Sequence, residues 1–252
     1  MKIAISQPTY LPWIGYLDLI DQVDTFVFLD NVQFEKQSWQ QRNRIKTPTG
    51  LQWLTVPVLF RGRFGQLINE VEIRDIGFWR NHLRAIELNY RRAPFFDDYF
   101  EELSSRMKAT CSSKALIADL DVCLIEWFVR VLGIRTRLLR SAHLDQPGRR
   151  TELLANICAS LGAEQYVSPL GSATYLLQES DVLLDKGIDV VFQHYEHPQY
   201  RQSFPPFCAY ASALDLIFNE GEHALEILRS GRRTSYLPEE IDRQISVGAG
   251  SR

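Results

Sequence analysis

Residues 7–16 read QPTYLPWIGY, a loop dense in side chains that can recognise a ring. Gln7 brings both donors and acceptors. Tyr10, Trp13 and Tyr16 offer aromatic faces with polar handles. Gly15 lets a group approach the start of the helix that follows. This set suits stacking of a base or sugar with hydrogen bonds to its edge; the plainer reading is an aromatic core whose prolines stiffen a turn. A second constellation, DNVQFEKQSWQQRNRIK at 30–46, supplies Asp30, Gln33, Lys36, Trp39, Arg42, Asn43, Arg44 and Lys46. Cations separated by amides and one Trp suit a small anion, because arginine forks match phosphate or carboxylate at two points. The plainer reading here is a solvated basic face. A third lies further on. Ser168, Gly171, Ser172 and Tyr175 lead from a short strand into a helix, and Gln193, His194, His197 and Tyr200 follow the last strand. His197 precedes Pro198, which favours an extended backbone, and its ring has the chemistry of a general base, with Asp30 the second choice. Asp215 stands at a helix start, where capping is its expected task.

The elements that must position these residues follow from periodicity. Strands are expected at 2–6, 25–29, 52–59, 67–73, 136–139, 165–167 and 188–193, each rich in β-branched and aromatic residues. Helices are expected at 13–23, 79–90, 96–108, 114–132, 150–161, 174–183, 214–220 and 222–228. The stretch 31–46 reads as loop and short helix. Gly162 reads as a left-handed helix stop, and the chain from Gly231 as a polar, frayed end. A helix between the first two strands implies a parallel crossover. The fold expected is an α/β domain over 1–235, an open, mostly parallel Rossmann-like sheet. A helical insertion falls near 76–135 and a polar tail at 236–252. Ligands of such sheets sit beyond the carboxyl ends of the strands, where all three constellations would converge.

Composition narrows the partners. The chain has 252 residues and is 45% hydrophobic, enough for one large core. With 28 basic against 31 acidic residues, nothing suggests a bulk electrostatic partner such as duplex DNA or an anionic membrane, and nucleic acid is a poor default. No apolar run reaches the ~20 residues that a membrane helix needs. Four scattered cysteines without a CxxC pair read as reduced, buried thiols of a cytoplasmic protein. His194 and His197 are the only close histidine pair, so no metal site is indicated. No Walker A loop or GxSxG elbow appears, and no motif names a cofactor or an oligomeric state.

Several runs together resemble one family. QPTYLPWIGY at 7–16, DNVQFEK at 30–36, RNRIK at 42–46 and WLTVPV at 53–58 are similar to the signature of the WbqC-like family. So are YRRAPFF at 90–96, GAEQYVS at 162–168, QHYEHPQY at 193–200 and LDLIFNEG at 214–221. Two positions depart from the pattern: Ser6 replaces a histidine and Pro169 a glycine. The resemblance implies a place among bacterial surface-polysaccharide functions, O-antigen especially, and group transfer onto a nucleotide-linked amino sugar or similar anionic molecule. Two alternatives stay open: a non-catalytic binding or scaffold protein of the same pathway, and a degenerate nucleotidyltransferase-like enzyme that activates a carboxylate with ATP. The last rests on WIGY at 13–16, which stands where that class carries HxGH. Without the two histidines ordinary adenylyl transfer is disfavoured, since Trp and Tyr cannot replace imidazolium at a developing phosphoryl charge.

Overall fold

The computed structural model describes residues 1–111 and 114–242. In chain order the strands are β1 (Lys2–Ser6), β2 (Thr25–Phe28), β3 (Arg42–Thr47), β4 (Gly50–Thr55), β5 (Arg137–Arg140), β6 (Gln165–Ser168) and β7 (Asp189–Phe192). The helices are α1 (Ile14–Asp21), α2 (Trp79–Tyr90), α3 (Phe96–Thr110), α4 (Ile117–Val131), α5 (Thr151–Ser160), α6 (Ala173–Gln178), α7 (Asp181–Leu184), α8 (Leu214–Glu220) and α9 (Ala224–Ser230). Five strands form one parallel sheet in the order β5-β2-β1-β6-β7. The chain runs outward from β1 to β5, then returns to β6 on the other side of β1. That reversal makes the β1/β6 edge the topological switch point, where side-by-side loops diverge and leave a crevice.

Successive strand residues point to opposite faces, and the two faces carry separate cores. Ala4, Phe26, Phe28, Val167 and Val191 pack with α1, α2, α3, α4 and α8. Ile3, Ile5, Val27, Tyr166, Val190 and Phe192 pack with α5, α6 and α7. Burial on both faces explains why β1 and β2 read as continuous apolar runs. α2 buries His82, Leu83, Ile86 and Tyr90, a single face at helical spacing. Gly162 has φ +71°, and the Ala163 N–H reaches the Cys158 carbonyl at 2.9 Å, so the expected stop closes α5.

Three expectations fail locally. The stretch 42–47 is a strand, antiparallel to β4 in a separate hairpin, with Arg44 opposite Trp53. Its polar content hid an alternation: Asn43 and Ile45 are buried while Arg42 and Arg44 face outward. The third expected strand is therefore the hairpin's second arm and no part of the main sheet. The expected strand at 67–73 is a short 3-10 turn at Ile68–Glu70 with isolated bridges beside it. Its amides are drawn aside: Ile68 N–H bonds the Val32 carbonyl and Asn69 N–H the Asp30 carbonyl, both at 2.9 Å. Nor does the chain fray from Gly231. Phe192 and Tyr236 exchange two backbone hydrogen bonds of 2.9 Å, and Ile241 is buried. Residues 243–252 of the expected tail lie outside the described residues. All four cysteines are free; Cys111 and Cys158 are buried, Cys123 and Cys208 partly so.

Candidate functional site

A cavity of about 370 Å³ opens at the switch point. Its walls come from three chain segments at or beyond the ends of β1, β2 and β6, including Tyr16 of α1 and Asn43 of β3. Ser6, Gln7, Thr9, Trp13 and Tyr16 follow β1; Glu35, Ser38, Trp39, Gln40 and Asn43 follow β2; Pro169 and Gly171 follow β6. The first two walls are pinned together, because the Tyr10 N–H donates to the Trp39 carbonyl at 2.9 Å. Gln40 Nε2 donates to Gln7 Oε1 at 2.8 Å, while Gln40 Oε1 accepts from the Glu35 N–H at 3.0 Å. The Gln7 oxygen is thus engaged, and its amide NH2 is the group left to meet an occupant. Tyr16 braces the same loop from beneath, its hydroxyl donating to the Gln7 carbonyl at 3.0 Å. Glu35 is the only carboxylate on the walls among the described residues.

Cations stand beside one wall rather than inside it. The Arg44 guanidinium lies over Trp39 at 5.5 Å and over Trp53 at 5.3 Å, and Arg42 lies over Trp53 at 4.4 Å. Both rings are about half exposed, so each such contact is worth ~0.5–1 kcal/mol and holds a planar fork next to the cavity.

The WbqC-like protein family matches residues 7–227. The chain belongs to that family. It is 37% identical over 241 residues to a protein of Mycobacterium tuberculosis strain H37Rv described as uncharacterized protein Rv1507c, covering 92% of this chain and 99% of the relative. No solved structure matches.

Among the residues singled out in this WbqC-like protein, the cavity gathers Gln7, Trp13, Tyr16, Trp39, Asn43 and Gly171. Asn43 is largely spoken for, since it donates to the Leu11 carbonyl and accepts from the Arg44 N–H, both at 2.8 Å. Others lie elsewhere. Tyr10 is fully buried, its hydroxyl 2.8 Å from His82 Nδ1, so it braces the loop from the interior. Burial raises that phenol and lowers His82 to about 4, with the Thr55 carbonyl pulling the imidazole back. A Cβ at Gly15 would overlap the Trp13 indole, so the ring itself is what the glycine admits. Lys46 is buried, its Nζ donating to the Thr47 carbonyl at 3.2 Å. Gln193 is buried and donates to Asp18 at 2.8 Å and to the Gly15 carbonyl at 2.9 Å. Ser168 is buried and turns back to the Pro169 carbonyl at 3.2 Å. Tyr175 lines a separate cleft with Leu29, Val32 and Arg150. Gln33 is exposed and bridges to Leu67. Lys36 lies over the Phe60 ring at 3.8 Å, away from the cavity.

Neither expected base lines the cavity. Asp30 is buried in an ion pair with Arg140 Nε at 2.5 Å and accepts from Ser141 Oγ and the Ala142 N–H, which makes it a structural carboxylate tying β2 to β5. His197 packs among Trp13, Tyr200, Phe207 and Tyr210, with the Trp13 and His197 centroids 6.2 Å apart. Its Nδ1 meets the Pro198 carbonyl at 2.8 Å and so carries the proton; Nε2 is buried without a partner. Burial lowers its pKa, against the pull of that carbonyl, and so favours the neutral ring. Tyr200 belongs to this aromatic cluster and not to the cavity wall. Asp215 caps no helix: Ser212 Oγ takes the Leu214 N–H, while Asp215 accepts from Gln202 Nε2 at 2.8 Å.

Sequence reasoning missed Thr9, Glu35, Ser38 and Gln40. Thr9 and the two residues Glu35 and Ser38 sit inside the quoted runs, but nothing in their types set them apart. Gln40 was legible in principle, as an amide one residue from Trp39.

Proposed function

We propose that this protein is a group transferase acting on a nucleotide-linked amino sugar, or a similar anionic small molecule, in surface-polysaccharide biosynthesis. The observation that carries the reading is the composition of the switch-point cavity. Trp13 and Trp39 supply flat faces for a ring, and the Gln7 amide, held in place by Gln40, meets its polar edge. Arg44, stacked on Trp39, is the nearest fork for a phosphate. Glu35 replaces His197 as the proton acceptor: it takes a proton from the attacking amine or hydroxyl as the new bond forms. A helix-spaced aromatic stripe would be core, but these rings border open volume.

The test is titration of the purified chain with a panel of nucleoside-diphosphate amino sugars, followed by transfer assays with acyl donors. Saturable binding that weakens about tenfold in both Trp13→Ala and Arg44→Ala is expected. Turnover lost in Glu35→Gln with binding retained supports the catalytic role. Absence of saturable binding, or binding indifferent to both substitutions, overturns the reading. One observation favours the alternative of a non-catalytic binding protein: among the described residues the walls carry a single carboxylate and no imidazole. Binding without transfer under any donor selects that alternative.

A further inference from the structure

The chain leaving β4 ends in Phe60, Arg61, Gly62, Arg63, Phe64 and Gly65, a loop with no acid in it. Gly62 and Gly65 have φ of +76° and +70°, so the backbone folds into a tight knuckle between them. Phe64 projects from that knuckle with 99% of its surface exposed. Phe60, at its base, is 41% exposed and lies under the Lys36 ammonium. A shallow basin of about 590 Å³ beside it is bordered by Lys36, Phe60, Arg61, Arg63 and Arg74.

The charge of this patch is one-sided. Arg63 pairs with Glu72 at 2.7 Å. Lys36, Arg61 and Arg74 form no ion pair with any described residue. The neighbouring acids Glu70 and Asp75 do not line the basin: Glu70 accepts from the Leu67 N–H and Asp75 from the Gly77 N–H. A chain with net charge −3 therefore gathers three uncompensated cations on a basin walled by Phe60, and the same short loop carries the wholly exposed Phe64.

We propose that this knuckle docks the protein on an anionic phospholipid surface. Phe64 enters the interfacial layer, where aromatic rings rest at headgroup depth, and Lys36, Arg61 and Arg74 meet the lipid phosphates. Each cation near such a surface contributes about fivefold to partitioning, and the effect is screened by salt. A bilayer fits better than a nucleic acid because the ring stands alone at the tip of a projection, whereas stacked bases are held along a groove. The inference does not depend on the switch-point cavity. The two are nevertheless joined through the chain, since Glu35, Ser38 and Trp39 face the cavity while Lys36 faces the basin.

Co-sedimentation of the full chain with phosphatidylcholine vesicles, with and without phosphatidylglycerol, tests this. Binding is expected only with phosphatidylglycerol, and it weakens as salt rises. Phe64→Ser lowers the partition about tenfold, since interfacial binding scales with inserted apolar area. Arg74→Glu lowers it roughly 25-fold, two fivefold steps. Both variants keep the wild-type thermal midpoint, because the ring and the guanidinium are exposed. No binding to phosphatidylglycerol vesicles at low salt overturns the proposal, as does binding that ignores either substitution. Self-association or binding to single-stranded RNA that depends on Phe64, in place of vesicle binding, overturns it too.

Discussion

Gly15 shows how one residue sets the cavity wall. It lies in the first turn of α1, where alanine would ordinarily gain about 0.5–1 kcal/mol of helix propensity. Here the added methyl would overlap the Trp13 indole. Overpacking of this kind costs ~1–3 kcal/mol, so the clash outweighs the propensity gain. Gly15→Ala is therefore expected to lower the thermal midpoint and to shift tryptophan emission as the ring leaves the cavity; a stabilised variant with unchanged emission would contradict the packing. The chemistry-bearing types were legible in the sequence, but their allocation was not. Tyr10, Asp30, Lys46 and Gln193 look like site residues because they are polar residues in loops near strand ends. Each is consumed inside, and the partners of three of them are far along the chain: His82 for Tyr10, Arg140 for Asp30, Asp18 for Gln193. Buried polar groups must be satisfied, and a local reading cannot see a partner seventy or more residues away.

The β3–β4 hairpin is the element on which charge and aromatic surface meet. Arg42 and Arg44 are two residues apart and so share a face, and Trp53 lies opposite Arg44. Cross-strand pairs of this type contribute roughly 0.2–1 kcal/mol. Trp53→Ala is expected to cost about 1 kcal/mol in urea denaturation, because it removes the ring under both guanidinium groups. It is also expected to weaken binding of an anionic ligand several-fold by freeing Arg44, while Trp53→Phe retains most of both. Equal affinity in wild type and Trp53→Ala would show that the hairpin does not position the fork. Its first arm escaped sequence reading because charge masked its period of two, whereas the second arm and the apolar strands of the main sheet were located. Burial on both faces makes such strands conspicuous; an arm that offers only one face to the core does not stand out.

At the scale of the molecule, strand order does what no single motif does. It brings the loops after β1, β2 and β6 to one crevice, although they lie some 160 residues apart between Gln7 and Gly171. The parallel pattern made that crevice an expectation, and only the closed arrangement decided which side chains border it. A second junction of distant segments sets the response to pH. Asp215 on α8 lies near Lys46 of β3, Tyr90 of α2 and the loop carrying Tyr200 and Gln202. Burial raises its carboxyl from 3.8 to about 6, with Tyr200, Gln202, Tyr90 and Lys46 holding it back. A carboxyl with a raised folded pKa binds more protons folded than unfolded, so its contribution falls as pH rises from about 4 to 6. Two units correspond to about 3 kcal/mol. His82, lowered from 6.5 to about 4, works in the opposite sense over nearly the same window: folded protein binds fewer protons there, and stability rises with pH. The two effects offset in the wild type. Asp215→Asn removes one of them and keeps a side-chain oxygen to accept from Gln202. Relative to wild type, its unfolding free energy is expected to rise by about 3 kcal/mol between pH 4 and pH 7, read from urea midpoints at each pH. A difference that stays constant over that range would mean that Asp215 is charged or neutral alike in the folded and unfolded chain, and that the junction of α8 with the hairpin is wetter than its burial implies.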